Sequence, residues 1–171
     1  MPSHAASTSP EADVFRHQAR AIQAVVRLQT DGITQDESLV HPQAEGNSLN
    51  WVVGHLVAIY NNALPVLGQS PVSSPEKLEP YRRGAHPLEE QAQPLQLTEL
   101  LTLWDEVSQK IDAGLAALTP EQLDQPAPFS PTGNPKETVR TLISTVMFHQ
   151  AYHTGQTALL RRIVGKPGAI K

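Results

Sequence analysis

His149 and His153 stand four residues apart in the segment Phe148-His149-Gln150-Ala151-Tyr152-His153-Thr154-Gly155-Gln156, and His55 lies in a similar apolar run, Trp51-Val52-Val53-Gly54-His55-Leu56. On an α-helix, residues at i and i+4 share a face, with Cβ atoms about 5–6 Å apart. Two imidazoles so spaced can converge on one ion, each nitrogen at roughly 2.0–2.1 Å from it. A third imidazole from a neighbouring helix would give a metal three protein ligands and an open position, the arrangement of sites built for chemistry. The same spacing also admits a plainer reading, two core histidines each satisfied by a hydrogen bond. Both histidines fall on the helix face that carries Leu142, Val146, Gln156 and Leu160.

Three neutral imidazoles would leave a cation its full charge. A bound water would then have its pKa lowered towards about 7, and a bound thiol would lose its proton outright. The chain has no cysteine, so any such thiol must arrive on a substrate or cofactor. The lack of cysteine also excludes disulfides, thiolate metal ligands and a protein thiol nucleophile, and it fits a reducing compartment. The element reads His-Gln-x-x-His, not His-Glu-x-x-His, so the glutamate base of a zinc peptidase is missing and peptidase chemistry is disfavoured. Gln150, about 100° around the helix from His149, is expected to point away from the ion. Gln156 is expected either to hydrogen-bond a ligating imidazole or a metal-bound water, or to make a polar contact with a neighbouring helix.

These residues need long helices to position them, and four can be read. Glu11 to about Gln29 is the first, with Val14, Ala21, Ile22, Val25 and Leu28 at helical spacing and Asp31-Gly32 ending it. His17 lies on it, near the expected interior. Residues 34–46 read as irregular. The second helix starts at Asn47 or Ser48, both good caps, and runs to about Leu67, with Pro65 kinking or ending it and Gly68 terminating it. His55 sits in its middle. A connection with Pro71, Pro75, Pro80, Pro87 and Pro94 follows from Gln69 to about Gln96, far longer than the usual 4–6 residues or so. Within it, Tyr81-Arg82-Arg83-Gly84 could cover a site mouth, Arg82 or Arg83 holding an anionic ligand; the alternative is a solvated crossover with incidental arginines.

Thr98 reads as the cap of a third helix, Glu99 to about Leu118, with Leu100, Leu101, Trp104, Val107, Ile111 and Leu115 as its stripe. Thr119-Pro120-Glu121-Gln122 is a capping box for one short extra turn. Asn134-Pro135-Lys136-Glu137 repeats that logic and is expected to open the fourth helix, which runs to about Val164 before Gly165 and Pro167. No strand is expected. The architecture that buries four such stripes is an all-α four-helix bundle, with the long loop between helices 2 and 3 as a crossover.

Composition sets the outer bounds. At 171 residues one domain is expected, over residues 11–165, with a disordered tail at 1–10 and a short tail at 166–171. Only 18% of residues are charged, the net charge is −4, and the thirteen basic residues are scattered, so nothing suggests a nucleic-acid-binding surface and no nucleic-acid partner is expected. Arg161-Arg162 falls near a helix C-terminus, where cations suit the helix dipole. The first ten residues lack the basic and apolar regions of a secretory signal. No apolar stretch approaches the roughly 18–20 residues of a membrane span. A cytoplasmic protein without a membrane partner is expected.

Trp51-Val52-Val53-Gly54-His55-Leu56 on the second long helix and His149-Gln150-Ala151-Tyr152-His153-Thr154-Gly155-Gln156 on the last together resemble the DinB-like superfamily, also described as YfiT-like metal-dependent hydrolases. The resemblance covers about Glu11 to Gly165. It implies an up-down-down-up bundle and a divalent metal, often zinc or nickel, with His55, His149 and His153 as its ligands. It also implies a homodimer and, in some members, an external low-molecular-weight thiol used in S-transfer or isomerisation. The expectation is thus a metal-dependent enzyme acting on a small molecule by thiol transfer or by hydrolysis, the alternative being a non-catalytic, metal-containing binding or stress-response module. Trp51 and Tyr152 are expected to pack rather than to bind substrate, and Gly155 to permit close helix approach. His4, His41 and His86 are expected in solvated loops.

Overall fold

The computed structural model describes residues 9–42, 46–85 and 93–170. His4, His86 and most of the N-terminal tail lie outside the described residues. The described chain is all-α, with four long helices, α1 (Pro10–Thr30), α3 (Leu49–Ala63), α5 (Leu97–Ala116) and α7 (Val139–Ile163). Three four-residue helices stand between them, α2 (Gln35–Ser38), α4 (Pro75–Leu78) and α6 (Pro120–Leu123), and 3-10 turns cover Leu64–Leu67 and Glu79–Tyr81. Among the described residues there is no strand, only an isolated bridge between Pro126 and Thr138. No described helix is long and apolar enough to cross a membrane.

Each long helix packs against two others: α1 and α3 each touch α5 and α7. Side-chain bonds give the directions. Arg20 pairs with Asp112 at 2.8 Å and Arg27 with Asp105 at 3.8 Å, so α1 runs against α5. Glu11 pairs with Arg140, and Arg161 donates to the carbonyls of Gln29 and Asp31, so α1 runs along α7. Tyr60 stacks on Trp104 at 5.4 Å, two to three turns before Leu67 meets Gly114. Gly114 is needed there, because a Cβ would come within 2.6 Å of the Leu67 Cβ.

Helix α3 carries no charged side chain, and all of its residues except Ile59 and Asn62 are at least largely buried. A helix apolar all round belongs in the interior. α5 and α7 cover two of its sides and the crossover covers a third. Two buried asparagines hold that crossover. Asn61 Oδ1 accepts the N–H groups of Val72 and Ser73 at 2.7 and 3.2 Å, and Asn50 Nδ2 donates to the Leu95 carbonyl at 2.9 Å. A buried amide that satisfies loop backbone in this way offsets its own desolvation and that of the loop.

Several boundaries differ from the sequence expectation, each for a local reason. Residues 34–46 contain α2, because Thr34 and Glu37 form a capping box. The crossover contains α4, capped by Ser74 with Pro75 at its first position. Helix α5 begins at Leu97 rather than after Thr98, since Gln35 Oε1 accepts the Leu97 N–H at 2.6 Å. The fourth long helix opens at Thr138, not Asn134. Ala127 N–H donates to Glu137 O and Val139 N–H to Gln125 O, both at 2.9 Å, which holds residues 137–139 extended until the Thr138–Thr141 capping box begins the helix. His17 lies on the solvent side of α1, not towards the interior.

Candidate metal centre

The triad is assembled from two helices. His55 comes from the middle of α3 and is 2% exposed; His149 and His153 lie one turn apart on α7, half-buried at the border of its core face. Their ring nitrogens lie within 4.8 Å of one another, and no Asp, Glu or Cys among the described residues joins the group. The Nε2 atoms of His55 and His149 are 3.2 Å apart. Two ligands of one tetrahedral ion, each at roughly 2.0–2.1 Å, would be separated by about 3.3 Å.

The outer nitrogens show why the rings face inward. His55 Nδ1 lies 2.7 Å from the Tyr81 carbonyl. A carbonyl only accepts, so Nδ1 carries the proton and Nε2 presents a lone pair. His153 Nδ1 lies 2.8 Å from Gln156 Oε1, which leaves its Nε2 lone pair free by the same logic. His149 Nδ1 is buried with no hydrogen-bond partner among the described residues. Satisfied core histidines would direct their hydrogen bonds to protein on both sides. Here the protein occupies the outer nitrogens of two rings and leaves three inner ones facing each other, so the donor set fits a divalent cation.

Electrostatics agree. Burial pushes the His149 imidazole down to a pKa of about 4, with His153, His55 and Arg83 adding to the effect. Burial also lowers His55, partly offset by the Tyr81 bond, and lowers His153 against the Gln156 bond. All three rings are therefore neutral near pH 7, the state in which imidazole binds metal.

The site's surroundings depend on the crossover. The Trp51 ring stacks on His55 at 4.6 Å and 11° and donates its Nε1–H to the Pro80 carbonyl at 3.1 Å. Tyr81 is wholly buried and its ring lies on Gly54, where a Cβ would overlap it. The Tyr81 hydroxyl donates to Asn50 Oδ1 at 3.1 Å and accepts the Leu95 N–H at 2.8 Å. The sequence placed Tyr81 in the segment that could cover a site mouth and Gly54 in the motif around His55, but gave neither of them this contact, and Asn50 was not singled out. The one signal was a glycine inside a helix beside a histidine, which marks a close approach.

Other expected residues divide. Gln156 is in place on His153. Arg83 donates to Pro131 O at 3.2 Å, and its charge is felt at His55 and His149. Arg82 is exposed and pairs with Glu79 at 2.5 Å; nothing brings it to the triad. Gln150 is fully buried and donates to the Leu56 carbonyl at 2.9 Å, tying α7 to α3. His41 is exposed, 2.9 Å from Gly46 O. Two expectations fail. Tyr152 is 60% exposed rather than packed, its ring edge-on to His153 at 5.1 Å. Gly155 is exposed with nothing near its Cβ position, so no helix among the described residues approaches it.

The family model of the DinB superfamily matches residues 16–157, a span that includes all three histidines. The chain belongs to the DinB superfamily. No curated protein matches it. Together the superfamily and the triad suggest a divalent metal for this DinB protein.

Proposed function

We propose that this chain is a metal-dependent enzyme acting on a small molecule, with His55, His149 and His153 holding one divalent cation, zinc or nickel. The observation that carries this reading is the convergence of three neutral imidazole nitrogens with no carboxylate among them. Bound there, the cation would supply Lewis acidity, lowering the pKa of a water or thiol ligand so that a nucleophile is available near neutrality.

The chain's own residues do the rest. Tyr81 O and Gln156 Oε1 fix the tautomers of His55 and His153, so both rings enter with lone pairs directed inward. Trp51 covers one face of His55 and limits water there. With no cysteine in the chain, the nucleophile is external: water for hydrolysis, or a low-molecular-weight thiol for S-transfer. Arg83 would attract the anionic part of a thiol or substrate at the mouth; Arg82, engaged with Glu79, is the weaker choice.

The architecture in this reading is an up-down-down-up four-helix bundle over residues 11–165. The antiparallel α1–α5 and parallel α1–α7 pairings support it, as does the long crossover that parallel neighbours require. The working unit is a cytoplasmic homodimer, with neither nucleic acid nor membrane as partner.

Elemental analysis tests the ligands. Wild-type protein should carry about one divalent ion per chain, as expected of a three-ligand site with an open position. His149→Ala and His153→Ala proteins should carry almost none, and retention of wild-type metal by either would reject the assignment. Turnover of a model electrophile with a panel of thiols then divides the chemistry. Strict thiol dependence assigns transfer, and equal turnover without thiol assigns hydrolysis.

A further inference from the structure

Six buried side-chain atoms find no hydrogen-bond partner among the described residues. Three of them, His149 Nδ1, Gln150 Oε1 and Thr154 Oγ1, fall within six consecutive residues of α7. Buried polar atoms are normally paired, so a cluster of orphans beside the triad points to something small that pairs them. Their setting is closed: Gln150 is fully buried and Thr154 is 5% exposed. A reversed amide does not explain the cluster. Gln150 Nε2 donates to the Leu56 carbonyl at 2.9 Å, and turning the amide over would set oxygen against oxygen. Oε1 is thereby fixed as the atom left over.

His149 and Gln150 reach the same stretch of α3. His149 Nε2 lies 3.2 Å from His55 Nε2, and Gln150 bonds the carbonyl of the next residue, Leu56. Thr154, four residues after Gln150, shares its helix face. The hydrogen-bonding capacities of the three match. A neutral His149 that turns its Nε2 lone pair to a cation carries its proton on Nδ1 and donates there; Gln150 Oε1 only accepts; the Thr154 hydroxyl does either. One water donates twice and accepts twice, so it can serve all three, and roughly two to four polar partners are what a buried water takes.

We propose, resting on the metal reading above, that one buried water is held by His149 Nδ1–H, Gln150 Oε1 and Thr154 Oγ1, and that through it Gln150 is the positioning residue for the His149 ligand. His55 has Tyr81 O on its outer nitrogen and His153 has Gln156 Oε1; the water gives His149 the equivalent contact. Gln150 takes its own place from the α3 backbone. The contact therefore couples the packing of α7 on α3 to the direction of the His149 lone pair.

Nuclear magnetic resonance of the neutral apo protein tests the water, and chelator competition with zinc tests its role. In the wild type, His149 should carry its proton on Nδ1, and that proton should show cross-relaxation to water. Gln150→Leu removes both the acceptor and the tie to Leu56, so the unfolding midpoint should fall, and zinc affinity with it, about 10–100-fold. Thr154→Val separates the two effects, because this hydroxyl has no partner among the described residues. In a dry core the added methyl replaces an orphaned hydroxyl, so stability holds or rises and zinc affinity stays. With the water in place, zinc affinity should instead fall several-fold while helicity is kept. A wild-type His149 proton on Nε2, an Nδ1 proton without a water signal, or a Thr154→Val protein with wild-type zinc affinity would overturn the proposal. A wild type that binds no zinc would overturn the metal reading instead, and the proton and water signals then decide whether the water stands without it.

Discussion

Helices α3 and α7 meet at the same histidines but hold them differently. His55 on α3 is stacked on Trp51 and bonded to the Tyr81 carbonyl, and the Tyr81 ring is pressed onto Gly54. On α7, among the described residues, His153 Nδ1 is bonded to Gln156, a neighbour on its own helix, and His149 has no partner for Nδ1. One ligand is therefore fixed by tertiary packing, while the other two depend on local contacts and on the helix itself. Preorganisation of this site therefore rests on the crossover as much as on the helices.

The largest effect should come from breaking the α3 clamp. Gly54→Val places a branched side chain where the Tyr81 ring lies. The crossover must move, and overpacking of this kind costs about 1–3 kcal/mol. Removal of the Tyr81 carbonyl frees the His55 tautomer as well, so metal content should fall with stability. Denaturant unfolding and elemental analysis check both. A stable variant with full metal would show that His55 does not need the clamp.

The parts of this contrast differed in how plainly the sequence carried them. His149 and His153 were legible because helical spacing alone places them on one side, and His55 because its apolar run resembles a known motif. The four long helices were legible from their stripes and stops. The clamp was not. Its decisive atom is a backbone carbonyl at Tyr81, which any residue could provide, delivered by a segment whose proline content read as a loop. Arg161 was hidden similarly. As a last-turn cation it suited the dipole, but its guanidinium is buried and donates to Gln29 O, Asp31 O and Pro167 O, contacts set by the end of α1. Tyr152 and Gly155 were misjudged because the periodicity of α7 is apolar on both sides, and a stripe facing solvent reads like one facing a core.

A smaller effect should come from the α7 side. Gln156→Ala removes the side chain that holds His153 Nδ1 while leaving the backbone untouched. Loss of such an outer hydrogen bond usually weakens metal binding about 10–100-fold. Competition with a chelator should show this, with no change in the unfolding midpoint of the apo protein. If Gln156→Ala instead unfolds the apo protein, its main role is packing, and the contrast between the helices weakens.

The smallest effect is in the pH dependence of the apo protein, and it separates the helices by residue. His149 is held near pKa 4 by burial in the folded state, against about 6.5 when unfolded. Between those values the unfolded chain binds more protons, so stability is complete above about pH 6.5 and is lost as pH falls towards 4. His55 and His153 add in the same direction. Water still reaches the two α7 rings, so the thermal midpoint should drop on the order of 2–4 °C across that window, the response to about 1 kcal/mol in a chain of this length. His149→Ala should flatten the curve, because the ring with the lowest pKa is gone. Saturating divalent metal should flatten it too, since the ion competes with protons for the same lone pairs. An apo protein whose midpoint is level from pH 7 to 4.5 would mean that the α7 imidazoles are solvated in the folded state, and the asymmetry between the two helices would then lie in packing alone.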